Sequence, residues 1–355
     1  MEYGTFIPPL ANTWKFVRRA EELGYSRAWF WDSHMLNAEM FVSMAAAAVN
    51  TSRIRLASGV MMPQNRIAPV AASGLASLNA LAPGRIDWGI STGFTGRRTM
   101  GLGPAKLADM EQYIRVVQAL LKGEMVEWTS EEGPRKIRFL DPDIGGVNVR
   151  DPIALHISAF GPKGQALTAR LGAGWINAPA GVAHGRAGIE SMQAAWRESG
   201  RDPAALYASG TIGGCVLKDG ESYDSPRVKQ QAGAHAMLGL HSLVEAADFG
   251  DIKRPVPPPL KALVERYRTE VYEKYQPADA RYLGNHRGHL LYLKPEEAHL
   301  CNGDLIKATT WTATKPELVE RIRELKRAGY NHLGINAGFG QFERLEEWAE
   351  VFEAV

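Results

Sequence analysis

The sequence predicts a (β/α)8 barrel, an α/β fold with insertions, the longest of them before the last strand. Three observations carry this. Strand-like and helix-like segments alternate eight times along the 355 residues. Closure of a parallel barrel requires that count, with right-handed crossovers placing helices outside and strands inside. The third lies directly after the first strand. An open doubly wound sheet would place a G-x-G-x-x-G phosphate loop there, and Pro8 and Pro9 stand in its place.

The elements run in order along the chain. Met1 to Ile7 reads as a strand stopped by the two prolines, and Thr13 to Leu23 as a helix ended by Gly24. Arg27 to Trp31 is an aromatic strand, followed by the Ala-rich helix Glu39 to Val49. Arg53 to Val60 is the third strand and Pro69 to Leu81 its helix; Ile86 to Ser91 is the fourth, with helix Leu107 to Leu121 after it. Beyond Gly123 the pattern loosens into an excursion ending near Pro152. Alternation then resumes with strand Ala154 to Ala159, helix Gln165 to Leu171, strand Trp175 to Asn177, helix Ile189 to Glu198 and strand Leu206 to Leu217. Residues from about Lys218 to Lys307 form the long insertion. Helix Pro316 to Ala328, strand His332 to Asn336 and a terminal helix close one single domain.

Composition narrows the function. Lys plus Arg at 41 against Asp plus Glu at 39 gives a net charge of +2, without the basic excess that nucleic-acid binding draws on. No apolar run reaches the ~20 residues that span a bilayer, and the chain begins on a strand with no room for a signal peptide, so no membrane partner and a cytoplasmic location are expected. Cys215 and Cys301 offer neither a disulfide framework nor metal-ligand spacing.

Active sites of such barrels lie at the C-terminal ends of the strands. That filter selects Asp32 and His34 after the second strand, Gly59 and Val60 after the third, Thr92 and Gly93 after the fourth, and Ser158 to Lys163 after the fifth. In Ser158-Ala-Phe-Gly-Pro-Lys163 a strand runs into a helix with Pro162 in its first turn. Free amides there, with Lys163, make either an anion site or a plain strand-to-helix turn. His34 reads as a general acid or base, or equally as a satisfied rim histidine. His286 and His289 in H-R-G-H have an i, i+3 spacing without a third ligand, so no metal site is expected.

Together these residues resemble the luciferase-like monooxygenase superfamily. The likeness is carried by W-F-W-D-S-H at 29 to 34, N-T-S-R-I-R-L-A-S-G-V at 50 to 60, the stretch from Ala72 to Gly93, G-P-A-K-L-A-D-M-E-Q-Y-I-R at 103 to 115, S-A-F-G-P-K-G at 158 to 164 and G-Y-N-H-L-G-I-N at 329 to 336. The resemblance implies a non-prolyl cis bond at Gly59-Val60 beneath a flavin ring, Asp32, Thr92 and Gly93 among the cofactor residues, and Ser158, Phe160, Gly161, Pro162 and Lys163 as its phosphate loop. It implies a site histidine at His34. Deazaflavin reductases of this kind place carboxylates where this chain has Phe6 and Phe94, both here assigned to the substrate together with His286 and His289. The expectation is therefore a two-component monooxygenase, in which FMN reduced by a separate flavin reductase reacts with O2 on a small organic molecule. The alternatives are deazaflavin-dependent hydride transfer with His34 as acid or base, and a non-catalytic flavin-binding homologue. The insertion is expected to act as a lid. A homodimer or higher homo-oligomer is expected, paired through helices such as Glu39 to Val49.

Overall fold

The computed structural model describes residues 1–246, 249, 256, 258–338 and 340–355. Its first half contains strands β1 (Glu2–Ile7), β2 (Arg27–Phe30), β3 (Arg55–Met61) and β4 (Ile86–Ile90), with helices α1 (Thr13–Glu22), α2 (Met40–Asn50), α3 (Ala68–Leu81), the one-turn α4 (Thr95–Arg98) and α5 (Leu107–Leu121). A hairpin of β5 (Val126–Ser130) and β6 (Gly133–Ile137) fills the excursion. Then come β7 (Ala154–Ser158), α6 (Pro162–Leu171), β8 (Gly174–Asn177), α7 (Val182–Glu198), β9 (Ala208–Ile212) and β10 (Val216–Leu217). The insertion holds α8 (Pro226–Glu245), α9 (Lys261–Glu270), α10 (Arg281–His286) and α11 (Gly303–Thr309). The chain closes with β11 (Ala313–Thr314), α12 (Lys315–Ala328), β12 (His332–Asn336) and α13 (Phe342–Glu353).

Eight of these strands form a closed parallel barrel in the order β1, β12, β9, β8, β7, β4, β3, β2. The (β/α)8 fold is the one the alternation predicts. One detail differs from it. The seventh barrel strand stops at Ile212, because Gly213 and Gly214 turn the chain away and Val216–Leu217 pair instead with Ala313–Thr314. At Gly214 a Cβ would lie 2.4 Å from the carbonyl carbon of Trp311, so only glycine lets the two segments meet. Local sequence also places the helix boundaries. α12 opens on a capping box of Thr314 and Glu317 followed by Pro316 and ends at Gly329, whose φ is 117°. Ser225 caps α8 by accepting from the Val228 amide.

The barrel interior is filled at mid-height by Phe6 stacked on Trp29, with centroids 5.3 Å apart and planes 4° from parallel. A glycine on the neighbouring strand makes room: a Cβ at Gly334 of β12 would come within 2.6 Å of the Phe6 ring. Below this stack, at the N-terminal end, Asp87 is enclosed by Arg27 and Arg55, with His156 and His332 against Trp29. Above it opens the mouth. The insertion has its own apolar core, which includes Val228, Met237, Val264, Tyr267 and Ile306.

Candidate cofactor site at the barrel mouth

The floor of the mouth is the bulge in β3. The bond Gly59-Val60 is cis, and the pairing of β3 with β4 slips between Ser58 and Met61. Gly59 sits directly on Trp29, since a Cβ there would lie 2.7 Å from that residue's Cβ. Phe6, Trp31, Leu36, Val60 and Ile176 gather round this point as one apolar cluster, joined from the insertion by Leu290 and Leu291.

His34 stands on one side, half-buried. Asn65 Nδ2 lies 3.3 Å from its Nδ1 and donates to Asp32 Oδ2 at 3.2 Å. The other ring nitrogen, Nε2, faces Met100 Sδ at 3.2 Å. Asp32 itself is buried, and both of its oxygens accept from Arg66 Nη1 at 2.9 Å. Arg66 also binds Glu39. Asp32 thus orients Asn65 and Arg66 behind the histidine. Neither Asn65 nor Arg66 stood out in the sequence, because the rim filter stopped at Val60 while the loop after β3 runs on to Ile67.

On the loop after β4, Gly93 has a φ of 86°, and a Cβ there would meet Met62 Sδ at 2.6 Å. This brings the backbone of Thr92 and Gly93 to the edge of the mouth, where Ala105 donates to the Thr92 carbonyl at 2.7 Å. Phe94 comes next, 41% exposed. After the neighbouring strand β7, the loop from Ser158 is pinned by Trp175 Nε1 donating to Ala159 O at 2.7 Å. Phe160, Gly161, Pro162 and Lys163 are all exposed. Gly161 caps α6 and no side chain satisfies the first amides of the helix, which leaves them open to an anion.

His286 and His289 are placed otherwise than as substrate contacts in the open mouth. Both are buried behind Phe94, with ring centroids 5.8 and 6.4 Å from its own. His286 Nε2 lies 2.8 Å from Glu245 Oε2. The same polar cluster includes Asn285 Nδ2, which donates to Glu245 Oε2 at 2.9 Å, and His241 Nε2, 2.7 Å from Glu297 Oε2. Burial, reinforced by the neighbouring His286, His241 and Lys294, drives His289 well below the ordinary histidine range.

Residues 1–332 match the model of the family described as luciferase-like monooxygenase. The chain belongs to this family. Among curated proteins it is 26% identical over 218 residues to 5,10-methylenetetrahydromethanopterin reductase of Methanolobus tindarius, covering 58% of this chain and 64% of that protein. It is 32% identical over 141 residues to F420-dependent glucose-6-phosphate dehydrogenase of Beutenbergia cavernae, covering 38% and 40%. The matches therefore span less than two thirds of these relatives' lengths. In three dimensions the chain resembles the coenzyme F420 dependent tetrahydromethanopterin reductase of Methanopyrus kandleri, with a TM-score of 0.70 at 18% identity over 98% of this chain and 97% of that one. It also resembles the oxygenating constituent of 3,6-diketocamphane monooxygenase from Pseudomonas putida in complex with FMN, with a TM-score of 0.61 at 13% identity over 100% and 96%.

The mouth of this family member fits a flavin-type group chemically. A flat apolar floor at Gly59 and Val60 suits a planar ring, the close backbone at Thr92 and Gly93 suits its edge, and the open amides of α6 with Lys163 suit an anionic tail.

Proposed function

We propose that this chain is a deazaflavin-dependent oxidoreductase acting at the barrel mouth, with Gly59, Val60, Thr92 and Gly93 along the ring and Ser158, Phe160, Gly161, Pro162 and Lys163 at the tail. The observation that carries this reading is His34, held at the mouth by Asn65 with one ring nitrogen turned away from that contact. It is supported by the two curated relatives, whose names specify a reductase and an F420-dependent dehydrogenase. When bound, a deazaflavin supplies two-electron hydride transfer. The protein's part is to seat the ring, exclude water with the apolar wall, and move one proton at the His34 imidazole.

A second reading uses reduced FMN, delivered by a separate flavin reductase, and O2. It is favoured by Phe6 and Phe94, which give the mouth carbon where an acid would assist hydride chemistry. In either case a second copy of this chain is proposed to cover the exposed apolar stripe of Val42 and Val49 on α2 with Ile67 and Val70 at α3, two helices that pack side by side.

Titration of the apoprotein with the deazaflavin and with FMN, each oxidised and reduced, separates the two. The first reading expects the deazaflavin to bind at least about tenfold more tightly. It also expects His34→Ala to keep that affinity while turnover falls by roughly 10²- to 10⁴-fold, and Lys163→Glu to weaken binding. Tighter binding of reduced FMN, with O2 consumption coupled to substrate oxidation, would replace it by the second.

A further inference from the structure

The wall of the mouth is largely carbon, with the His34 imidazole on one side and the Thr92 and Gly93 backbone at the edge. Phe6 comes from β1, Trp31 and Leu36 from the loop after β2, Val60 from β3 and Ile176 from β8. Leu290 and Leu291 close it from above, and Phe94 stands at the rim. The arginines on the rim loops after β3 and β4 are already engaged. Arg66 is held by Asp32 and Glu39, and Arg97 donates to Gly103 O and to Gln64. Arg98 lies 3.7 Å over the Phe249 ring with Glu245 3.8 Å away.

One residue of this wall is in an unusual conformation. Leu290 has a φ of 60°, and it is the single non-glycine residue with positive φ among the described residues. Left-handed backbone costs a leucine about 1–2 kcal/mol and persists only where the surroundings fix it. Here the turn is closed by Leu291 N donating to Gly288 O at 2.9 Å and His289 N donating to His286 O at 3.1 Å. The strained backbone directs two successive leucines toward the Phe6 and Trp31 cluster, where glycine would have met the backbone requirement at lower cost and left the wall open.

We propose that the substrate is an uncharged, predominantly apolar molecule with one oxygen function for His34, and that Leu290 is the residue that sets this preference. This rests on the mouth being the reaction chamber. A charged group pressed against such a wall would lose hydration and gain no counter-ion from Arg66 or Arg98, which already face carboxylates. The Beutenbergia relative is named for a sugar phosphate, and on this inference the present chain selects against such a substrate.

Isothermal titration tests it with cyclohexanol and with cyclohexanecarboxylate, a pair of similar size differing in charge, and with glucose 6-phosphate. Each is titrated into cofactor-free and deazaflavin-loaded protein. Cyclohexanol should bind at least about tenfold more tightly than either anion. Leu290→Gly should weaken cyclohexanol roughly three- to tenfold without lowering the thermal midpoint, since the lost contact is offset by relief of the backbone. A residue that served only to hold the fold would lose stability and leave affinity unchanged. Should the glycine variant fold poorly, Leu290→Asn, which tolerates the left-handed region, must show the same loss of affinity. Equal or tighter binding of the anions, no binding of cyclohexanol, or unchanged affinity in the variants overturns the proposal. Failure of the deazaflavin to bind, with the preference for cyclohexanol kept by the cofactor-free protein, refutes the cofactor assignment and leaves the substrate class standing.

Discussion

Replacing Asp87 by Asn removes one charge from the N-terminal end of the barrel and changes almost nothing in volume. The carboxylate is buried, with Arg27 Nε at 2.8 Å from Oδ2, while Arg55 donates from Nε to Oδ2 at 2.8 Å and from Nη2 to Oδ1 at 2.6 Å. Burial alone would raise its pKa, yet the hydrogen bonds from Arg55, with the charges of Arg27 and Arg55 itself, hold it below the ordinary aspartate value. Arg27 is almost as buried as its partner, so the variant leaves a guanidinium in the interior with only the half-exposed Glu2 carboxylate, 3.7 Å away, as counter-ion. Breaking a buried pair from one side costs about 3–5 kcal/mol. For a chain of this size that is a fall in melting temperature of roughly 4–7 °C. Urea unfolding should show a lower midpoint at unchanged slope, and the double variant Asp87→Asn with Arg27→Met should recover part of the loss, because it removes the stranded charge. A loss below about 1 kcal/mol would refute the reasoning, since it would mean that water already screens the pair.

The same interior predicts a response to acid. Burial, first among the causes, pushes His156 and His235 down to about 4, so the fold holds both rings uncharged. A depressed folded pKa contributes stability that is complete above the unfolded value near 6.5 and is lost as pH falls through the folded value. Thermal midpoints should therefore fall steeply between about pH 6.5 and 4, each histidine contributing up to ~1.4 kcal/mol per pH unit; a flat profile across that window would count against the burial of these rings. The apolar stripe on α2 and α3 gives a prediction of assembly: Val49→Glu with Val70→Glu should convert a dimer into monomers in analytical ultracentrifugation while the circular dichroism stays unchanged, and a wild-type monomer at micromolar concentration would remove the interface.

How far these features could be read from sequence depends on whether the deciding contact is local. The barrel was legible because a strand such as Arg27–Phe30 and a helix such as Lys315–Ala328 announce themselves within a dozen residues, through aromatic runs, capping boxes and terminal glycines. The rim positions Thr92, Gly93 and Gly161 were legible for the same reason, as residues directly following a strand. The β5–β6 hairpin was not, since its two strands of five residues are mostly exposed or half-buried and present no regular apolar face. His286 and His289 were legible as residues but not in direction. What His286 meets inside is Glu245 on α8, and His289 packs on the rings of His286 and His241; nothing within H-R-G-H specifies the partners on α8. Asp32 shows the converse: its place after β2 is local, while its engagement by Arg66 depends on a loop from the next strand.

That inward polar cluster bears on the mouth. An insertion that covered the barrel only through Leu290 and Leu291 would slide, because contacts between leucines are non-directional. The hydrogen bonds from Asn285 to Glu245 and to His241 O, the ion pair of Lys294 with Glu297 and the hydrogen bond between His241 and Glu297 fix α8, α10 and the segment after Leu293 in one arrangement. The residues between, from Gly288 to Tyr292, then have both ends anchored. This is the condition under which a leucine can be held in left-handed backbone at all. The buried polar network and the apolar wall thus act as parts of one device: the first supplies direction, and the second supplies the surface that a substrate would meet.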